Sequence, residues 1–232
     1  MDFESFVLAA ATTDLADEPA ARDHADAVEF RLDGASEPLA ALGDYTGDLP
    51  LIATNRPERE GGDVPDGPDR LATLREAVEH PAVEAVDVEL STVQAGEAEE
   101  LLLAAHQEDV RVICSTHDFE GTPDRERLRE LLAAAGEYAH VAKLAVTAES
   151  PGDVLDLLSV THAASEAGEP VATMAMGEAG RHSRAVAPLY GSRIGYAPVD
   201  PAKATAPGQY DLATLRSLVD RLRGADTPGA ED

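Results

Sequence analysis

The stretch Val28-Glu29-Phe30-Arg31-Leu32-Asp33 alternates apolar and charged side chains without a break. Successive side chains on a β-strand point to opposite faces. Val28, Phe30 and Leu32 therefore share one face, and Glu29, Arg31 and Asp33 the other. The alternation recurs in Val86-Asp87-Val88-Glu89-Leu90, which puts Asp87 and Glu89 together. In Val141-Ala142-Lys143-Leu144-Ala145-Val146, Lys143 lies opposite Leu144, with the small Ala145 beside it on its own face. An antiparallel sheet with one solvated face gives the same pattern. What lies between the strands separates the two cases. Leu71, Leu74 and Val78 fall on one helical face, as do Leu128, Leu131, Leu132 and Ala135, and then Leu212, Leu215 and Val219. Strands alternating with helices require a parallel sheet with helical crossovers. Helices then cover the apolar rows, and the charged rows point into the interior.

Apolar runs predict strands at Phe6–Ala11, Ala27–Leu32, Leu51–Asn55, Ala85–Leu90, Val110–Thr116, Val141–Val146, Val171–Met176 and Arg193–Tyr196. Eight such units favour a closed (β/α)8 TIM barrel, of the α/β class, over an open doubly wound sheet. No Gly-x-Gly-x-x-Gly follows the first strand, which also weighs against a dinucleotide fold. The 232 residues suit one barrel, which takes ~250 residues typically. Residues 1–223 are expected to form that single domain, and the polar segment 224–232 to fray. Helix starts are predicted at Thr122-Pro123, as N-cap and first helical residue, at Asp211, and at the capping box Ser150 with Asp153.

The chain has 45 acidic and 18 basic residues, a formal net charge of −27. That charge repels nucleic acid and anionic membranes, so neither is expected as a partner. Disorder is the plain alternative for so acidic a chain, but 44% of the residues are hydrophobic and they are periodic. A folded protein adapted to high salt, where counter-ions screen the repulsion, fits better. The single cysteine, Cys114, excludes an intramolecular disulfide, and no apolar run approaches the ~18 residues of a membrane span. Met1-Asp2-Phe3-Glu4 lacks the basic start of a secretion signal, so a cytoplasmic location is expected.

Lysine has nearly been abandoned: only Lys143 and Lys203 remain. Lys143 sits mid-strand in an apolar run. Two readings of it are open, a structural ion pair with Glu29 or Glu89, or an amine whose charged form is disfavoured by burial and which acts as a nucleophile. His117 ends its strand, and the C-terminal ends of barrel strands are where active sites form. It is a natural general acid and base near neutral pH. After the seventh strand, Gly177 and Gly180 allow close approach of backbone to a ligand, and Arg184 suits a carboxylate, although a plain turn with a surface arginine explains the same residues. The segment Glu178–His182 is a candidate lid. Gln209, in a turn-like stretch, suits hydroxyls. Met174 and Met176 either line the pocket or pack, and Cys114 alternates onto the outer apolar face. No His, Cys and carboxylate cluster has zinc spacing.

Taken in order, these segments resemble one family. Glu29-Phe30-Arg31-Leu32-Asp33, Thr54-Asn55-Arg56, Glu60-Gly61-Gly62, Asp87-Val88-Glu89 and Ser115-Thr116-His117-Asp118-Phe119 are followed by Ala142-Lys143, Met176-Gly177-x-x-Gly180-x-x-Ser183-Arg184, Gly191-Ser192 and Ala206-Pro207-Gly208-Gln209. Together they resemble the type I 3-dehydroquinate dehydratases over nearly the whole chain. The resemblance implies a homodimeric barrel with no metal or organic cofactor. It implies that Lys143 forms an imine with the C3 carbonyl of 3-dehydroquinate, that His117 moves the C2 proton and protonates the departing C1 hydroxyl, and that Glu60 orients His117. It further implies that Arg184 holds the substrate carboxylate, and that Glu29, Arg31, Arg56 and Gln209 bind the hydroxylated ring, with Met176 and Thr205 beside them. Thr205 stands where the family often has serine, and Tyr196 stands for its aromatic near the eighth strand. The rivals are another lysine-imine barrel such as a class I aldolase, and an inactive metabolite-binding barrel.

If the acidity is an adaptation to salt, the thermal midpoint should rise as potassium chloride is raised from dilute buffer to molar concentrations. A protein equally stable in dilute buffer would count against it.

Overall fold

Val28, Phe30 and Leu32 leave water only if the outer face of their strand is covered, and in the computed structural model helices cover it. The structure describes residues 1–200, 202 and 208–224. The strands are β1 Val7–Thr12, β2 Ala27–Arg31, β3 Leu51–Thr54, β4 Val83–Glu89, β5 Arg111–Asp118, β6 Val141–Thr147, β7 Val171–Met176 and β8 Ile194–Pro198. They form one sheet in the order β7-β6-β5-β4-β3-β2-β1-β8. Every paired neighbour is parallel, which removes the antiparallel alternative. Because β1 pairs with both β2 and β8, the sheet curls round until β8 meets β7, and the fold is the expected (β/α)8 barrel.

Long crossover helices are Pro68–Ala77, Glu99–Gln107, Arg125–Gly136 and Pro151–Glu166, with Leu212–Arg223 after β8. Leu74, Leu128, Leu157 and Leu215 are fully buried from these helices against the apolar backs of the strands. The early crossovers are thinner. Between β1 and β2 lie only Leu15–Asp17 and Glu18–Ala21, and between β2 and β3 Leu32–Gly34 and Pro38–Gly43. No helix among the described residues is long and apolar enough to cross a membrane.

Inside the barrel the inward-facing rows climb from an apolar floor to a polar layer. The floor holds Val7, Ala27, Ile52, Ala85, Ile113, Val141 and Ile194, closed beneath by Phe3. Two residues further along their strands stand Glu29, Thr54, Asp87, Ser115 and Lys143, all buried. The period-2 geometry of a strand makes that step unavoidable: whatever follows an inward apolar residue by two also faces inward. Cys114, one residue out of phase, packs in the outer core, and burial together with the negative charges of Asp87 and Glu89 pushes its thiol up to about 12.

Several boundaries differ from the sequence reading. β5 runs on through Asp118, so His117 lies within the strand. The helix after it is capped by Asp124, whose carboxylate accepts from the Arg127 N–H at 2.9 Å, rather than by Thr122. Thr122 instead donates to the Thr147 carbonyl at 2.8 Å and ties the loop to β6. The Ser150–Asp153 capping box and the Asp211 cap are both present. Glu178–His182 is not an open lid loop: Gly177–Gly180 and Ser183–Val186 are helical turns. A Cβ on Gly180 would come within 2.6 Å of the Ala175 carbonyl oxygen, so the turn is packed hard onto β7. The predicted fraying of 224–232 falls, beyond Gly224, outside the described residues.

The seam between β7 and β8 is closed by side chains. Among the described residues one parallel bridge is seen here, Val171 with Ser192 just ahead of β8, and the Arg193 N–H donates to the Val171 carbonyl at 2.7 Å. Beyond it β7 still presents inward-turned edge groups. The Thr173 N–H donates to Ser192 Oγ at 3.0 Å, and the Ala175 N–H donates to Ser183 Oγ at 2.8 Å. Both serines are buried. They stand in for the ladder that a full strand pairing would supply.

Ser192→Ala leaves the buried Thr173 N–H without an acceptor, and should lower unfolding free energy by about 1–3 kcal/mol, read by urea denaturation at constant potassium chloride. No change in the midpoint would show that the seam is held by packing alone.

Candidate active site

The polar layer is organised around Asp87, which is fully buried on β4. Arg56 places Nη2 2.8 Å from one carboxylate oxygen, and Lys143 places Nζ 2.8 Å from the other. Ser115 bridges: its hydroxyl donates to Asp87 at 2.6 Å and accepts from Arg56 Nη1 at 2.7 Å. Arg56 also reaches Glu89 at 2.7 Å, and Arg70 takes the other Glu89 oxygen at 2.9 Å. Burial alone would push Asp87 up. The positive charges of Arg56 and Lys143 reverse that and hold it well below the usual carboxylate range. Burial would lower Arg56 too, but Asp87 and Glu89 raise it, so its charge is secure.

The partner of Lys143 is thus Asp87, and neither Glu29 nor Glu89. Both Glu89 oxygens are already taken by arginines, and Glu29 accepts from Thr54 Oγ1 at 3.1 Å. The other face of the Lys143 ammonium sits over the Tyr196 ring, 4.3 Å from its centroid.

His117 lies on β5, in register with Ala145 of β6, one inward step above the Ser115–Lys143 pair. Its Nδ1 is 3.0 Å from Glu60 Oε2, and its backbone N–H donates to the same oxygen at 3.2 Å. The other Glu60 oxygen accepts from Arg59 at 2.8 Å and from Ser91 at 3.3 Å. A carboxylate so surrounded is an acceptor, so Nδ1 carries the ring proton and Nε2 keeps its lone pair. Burial, with the charges of Arg56 and Lys143, depresses His117 well below its ordinary value, and the ring is neutral. Burial raises Glu60, against the opposing pull of Arg56 and Arg59.

The turn that delivers Glu60 has no room for side chains. It doubles back so tightly that a Cβ on Gly62 would lie 1.8 Å from the Arg56 carbonyl oxygen. Gly61, at φ +78°, has the Phe119 ring against it. Phe119 in turn stacks near the His117 ring, centroids 6.4 Å apart.

Lys143, His117, Glu60, Glu29, Arg31, Arg56, Arg184, Met176 and Gln209 all border one pocket at the C-terminal mouth of the barrel. Thr205 lies outside the described residues. Arg31 is held by a two-pronged pair with Asp33, at 2.9 and 2.6 Å. Arg184, buried beside the seam, is drawn down to about 10 by burial and remains a cation near neutral pH. Met174 and Tyr196 complete the apolar wall. Among the described residues no group of three or more His, Cys, Asp or Glu side chains is disposed to hold a metal ion.

Two contributors escaped the sequence. Asp87 was legible as an inward charge but not as the partner of Lys143, because only the barrel's curvature decides which carboxylate a lysine reaches. Arg59, which grips Glu60 and Asp66, reads in sequence as one more surface arginine.

A family model described as type I 3-dehydroquinase matches residues 6–226. A 3-dehydroquinate dehydratase of Haloarcula marismortui is 57% identical over 226 residues, covering 96% of this chain and 99% of that protein. One from Halobacterium salinarum is 50% identical, covering 96% of this chain and the whole of the relative. Among solved structures, a type I 3-dehydroquinate dehydratase of Clostridium difficile with covalently modified comenic acid superposes with a TM-score of 0.84. It is 27% identical and covers 96% of this chain and 94% of its own.

Asp87→Asn would leave Lys143 buried without a counter-charge and Arg56 with Glu89 alone, and should cost about 3–5 kcal/mol of stability at neutral pH. Because the folded protein holds Asp87 below its unfolded value of ~3.9, the stability it contributes is present above that value and is lost as pH falls through the folded one. The variant's acid unfolding curve should therefore be flatter than the wild type's. Parallel curves would mean that Asp87 is not the charge on which the layer depends.

Proposed function

Because the chain belongs to the type I 3-dehydroquinase family, we propose that it dehydrates 3-dehydroquinate to 3-dehydroshikimate and water through an imine on Lys143, with His117 as general base and acid. The observation that supports this best is the convergence of Lys143, His117 and Glu60 on one pocket. The covalently modified ligand of the Clostridium difficile relative agrees with covalent chemistry in such a pocket.

Lys143 first loses its ammonium proton to solvent; the amine attacks the C3 carbonyl, and a solvent proton on the carbinolamine oxygen lets water leave, giving an iminium. That cation is the electron sink that acidifies C2. Neutral His117 takes the C2 proton, and the electron pair of the broken C–H bond enters an enamine. The enamine reforms the iminium as the C1–oxygen bond breaks, and His117 returns its proton to the departing hydroxyl as water. A water molecule then releases the enone and restores Lys143. Glu60 holds His117 in the tautomer that makes Nε2 the base. Arg184 pairs with the substrate carboxylate, while Glu29, Arg31, Arg56 and Gln209 orient the hydroxylated ring, with Met176 and Thr205 at its edge. No cofactor enters these steps.

Family membership sets the aldolase reading aside. We further propose that the reaction serves aromatic amino acid biosynthesis through the shikimate pathway, in a salt-rich cytoplasm, and that residues 1–223 act as one domain in a homodimer. The acidic composition and the haloarchaeal relatives support the salt-rich setting. Sedimentation in concentrated potassium chloride would test the dimer.

Borohydride added to protein and 3-dehydroquinate should leave a reduced adduct on Lys143, mapped by mass spectrometry, and Lys143→Ala should give neither adduct nor turnover. His117→Ala should lose about 10²–10⁴-fold in kcat while still forming the adduct. With His117 depressed, its basic form persists into acid, so the acid limb of kcat/KM should fall below pH ~6.5. An unmodified Lys143 on folded, active protein would sink the imine.

A further inference from the structure

Tyr196 stands on β8 with its ring over Lys143 Nζ, and it borders the pocket at 4% exposure. Its hydroxyl is buried and has no hydrogen-bond partner among the described residues. Burying a hydroxyl without a partner costs free energy. A phenylalanine would keep the ring, the contact with the Lys143 cation and the packing, and would avoid that cost. The oxygen therefore calls for a partner that the described residues do not supply.

What surrounds the phenol says what that is. The charged groups acting on it most are Glu29, Asp87 and Arg56, all on the inward rows of the barrel. Burial and the nearby carboxylates push it well above its ordinary value, so it is a neutral O–H donor. Glu29 has one oxygen engaged by Thr54, and no other hydrogen bond to it is made by the described residues. A neutral donor and a carboxylate acceptor on one pocket wall suit a group that accepts and donates at once, which is a hydroxyl.

We propose that Tyr196 is a substrate-binding residue, whose phenol donates a hydrogen bond to a ring hydroxyl of the substrate while that hydroxyl donates to Glu29. This deepens, and rests on, the dehydration of a polyhydroxylated cyclic ketone argued above. Substrate satisfies the lone phenol, and a site built to bond a hydroxyl discriminates against ketones that lack it. Tyr196 binds but transfers no proton, because it is too weak an acid.

The test is Tyr196→Phe, which removes one atom. Turnover of 3-dehydroquinate should fall about tenfold in kcat/KM, with the loss mainly in KM. The thermal midpoint in potassium chloride should stay level or rise, since a buried unpaired hydroxyl has gone. Cyclohexanone, a ketone without hydroxyls, is the control: borohydride should trap it on Lys143 at the same rate in both proteins. Unchanged kcat/KM for 3-dehydroquinate overturns the proposal. An equal loss with cyclohexanone overturns it too, since the role would then be to support the site rather than to bind. Adduct formation with 3-dehydroquinate and equal kinetics in both proteins would remove Tyr196 alone, whereas no adduct in either removes the imine mechanism with it.

Discussion

A full negative charge on Asp87, with no surface exposed, is the constraint from which the rest of the interior follows. Moving a carboxylate out of water is tolerated only when opposite charge and hydrogen bonds replace the water. Arg56, Lys143 and Ser115 supply that replacement, and each then needs a fixed place of its own. Arg56 is shared with Glu89, and Glu89 is shared with Arg70, which also donates to the Asn55 carbonyl. The chain of pairs ties β3, β4, β5 and β6 together above the apolar floor. The amine at its centre is therefore held in a narrow range of positions, which is what the proposed role of a nucleophile requires.

The same arrangement explains how a chain of net charge −27 keeps a working polar site. Surface acids are screened by salt over a few ångströms, whereas buried pairs are screened far less. The interior charges therefore see one another much as they would in dilute solution. Surface repulsion and interior attraction are separate problems in this molecule, solved by counter-ions outside and by arginines inside. Under the proposed imine chemistry, Lys143 is the place where a compact primary amine does what a guanidinium cannot.

Closure of the barrel depends on smaller groups. Two serine hydroxyls satisfy the edge of β7 where β8 does not, and Arg184 follows one of them directly in sequence. The seam and the wall of the pocket are thus built from one segment. Gly62 and Gly180 play the matching part for the turns over β3 and β7, where backbone lies against backbone and a methyl would not fit. Site geometry and barrel closure share these residues, so a change that loosens one loosens the other.

The parallel barrel, the inward rows and most of the groups that face the pocket are legible in the sequence. All of these follow from a period-2 alternation interrupted by helices, and that is a local property of the chain. Lys143 and His117 were recognisable because charge in an apolar strand, or at its end, is visible in the sequence alone, whereas Arg184 stood out only through the family resemblance. Tertiary structure alone decided who meets whom. Which of three inward carboxylates reaches Lys143, that Arg59 steadies Glu60, that Asp124 rather than Thr122 caps its helix, and that the Tyr196 ring lies over the amine with no partner for its hydroxyl among the described residues all depend on the curvature and stagger of the closed sheet. Those are set by the sum of many strand pairings, and no single stretch of sequence contains them.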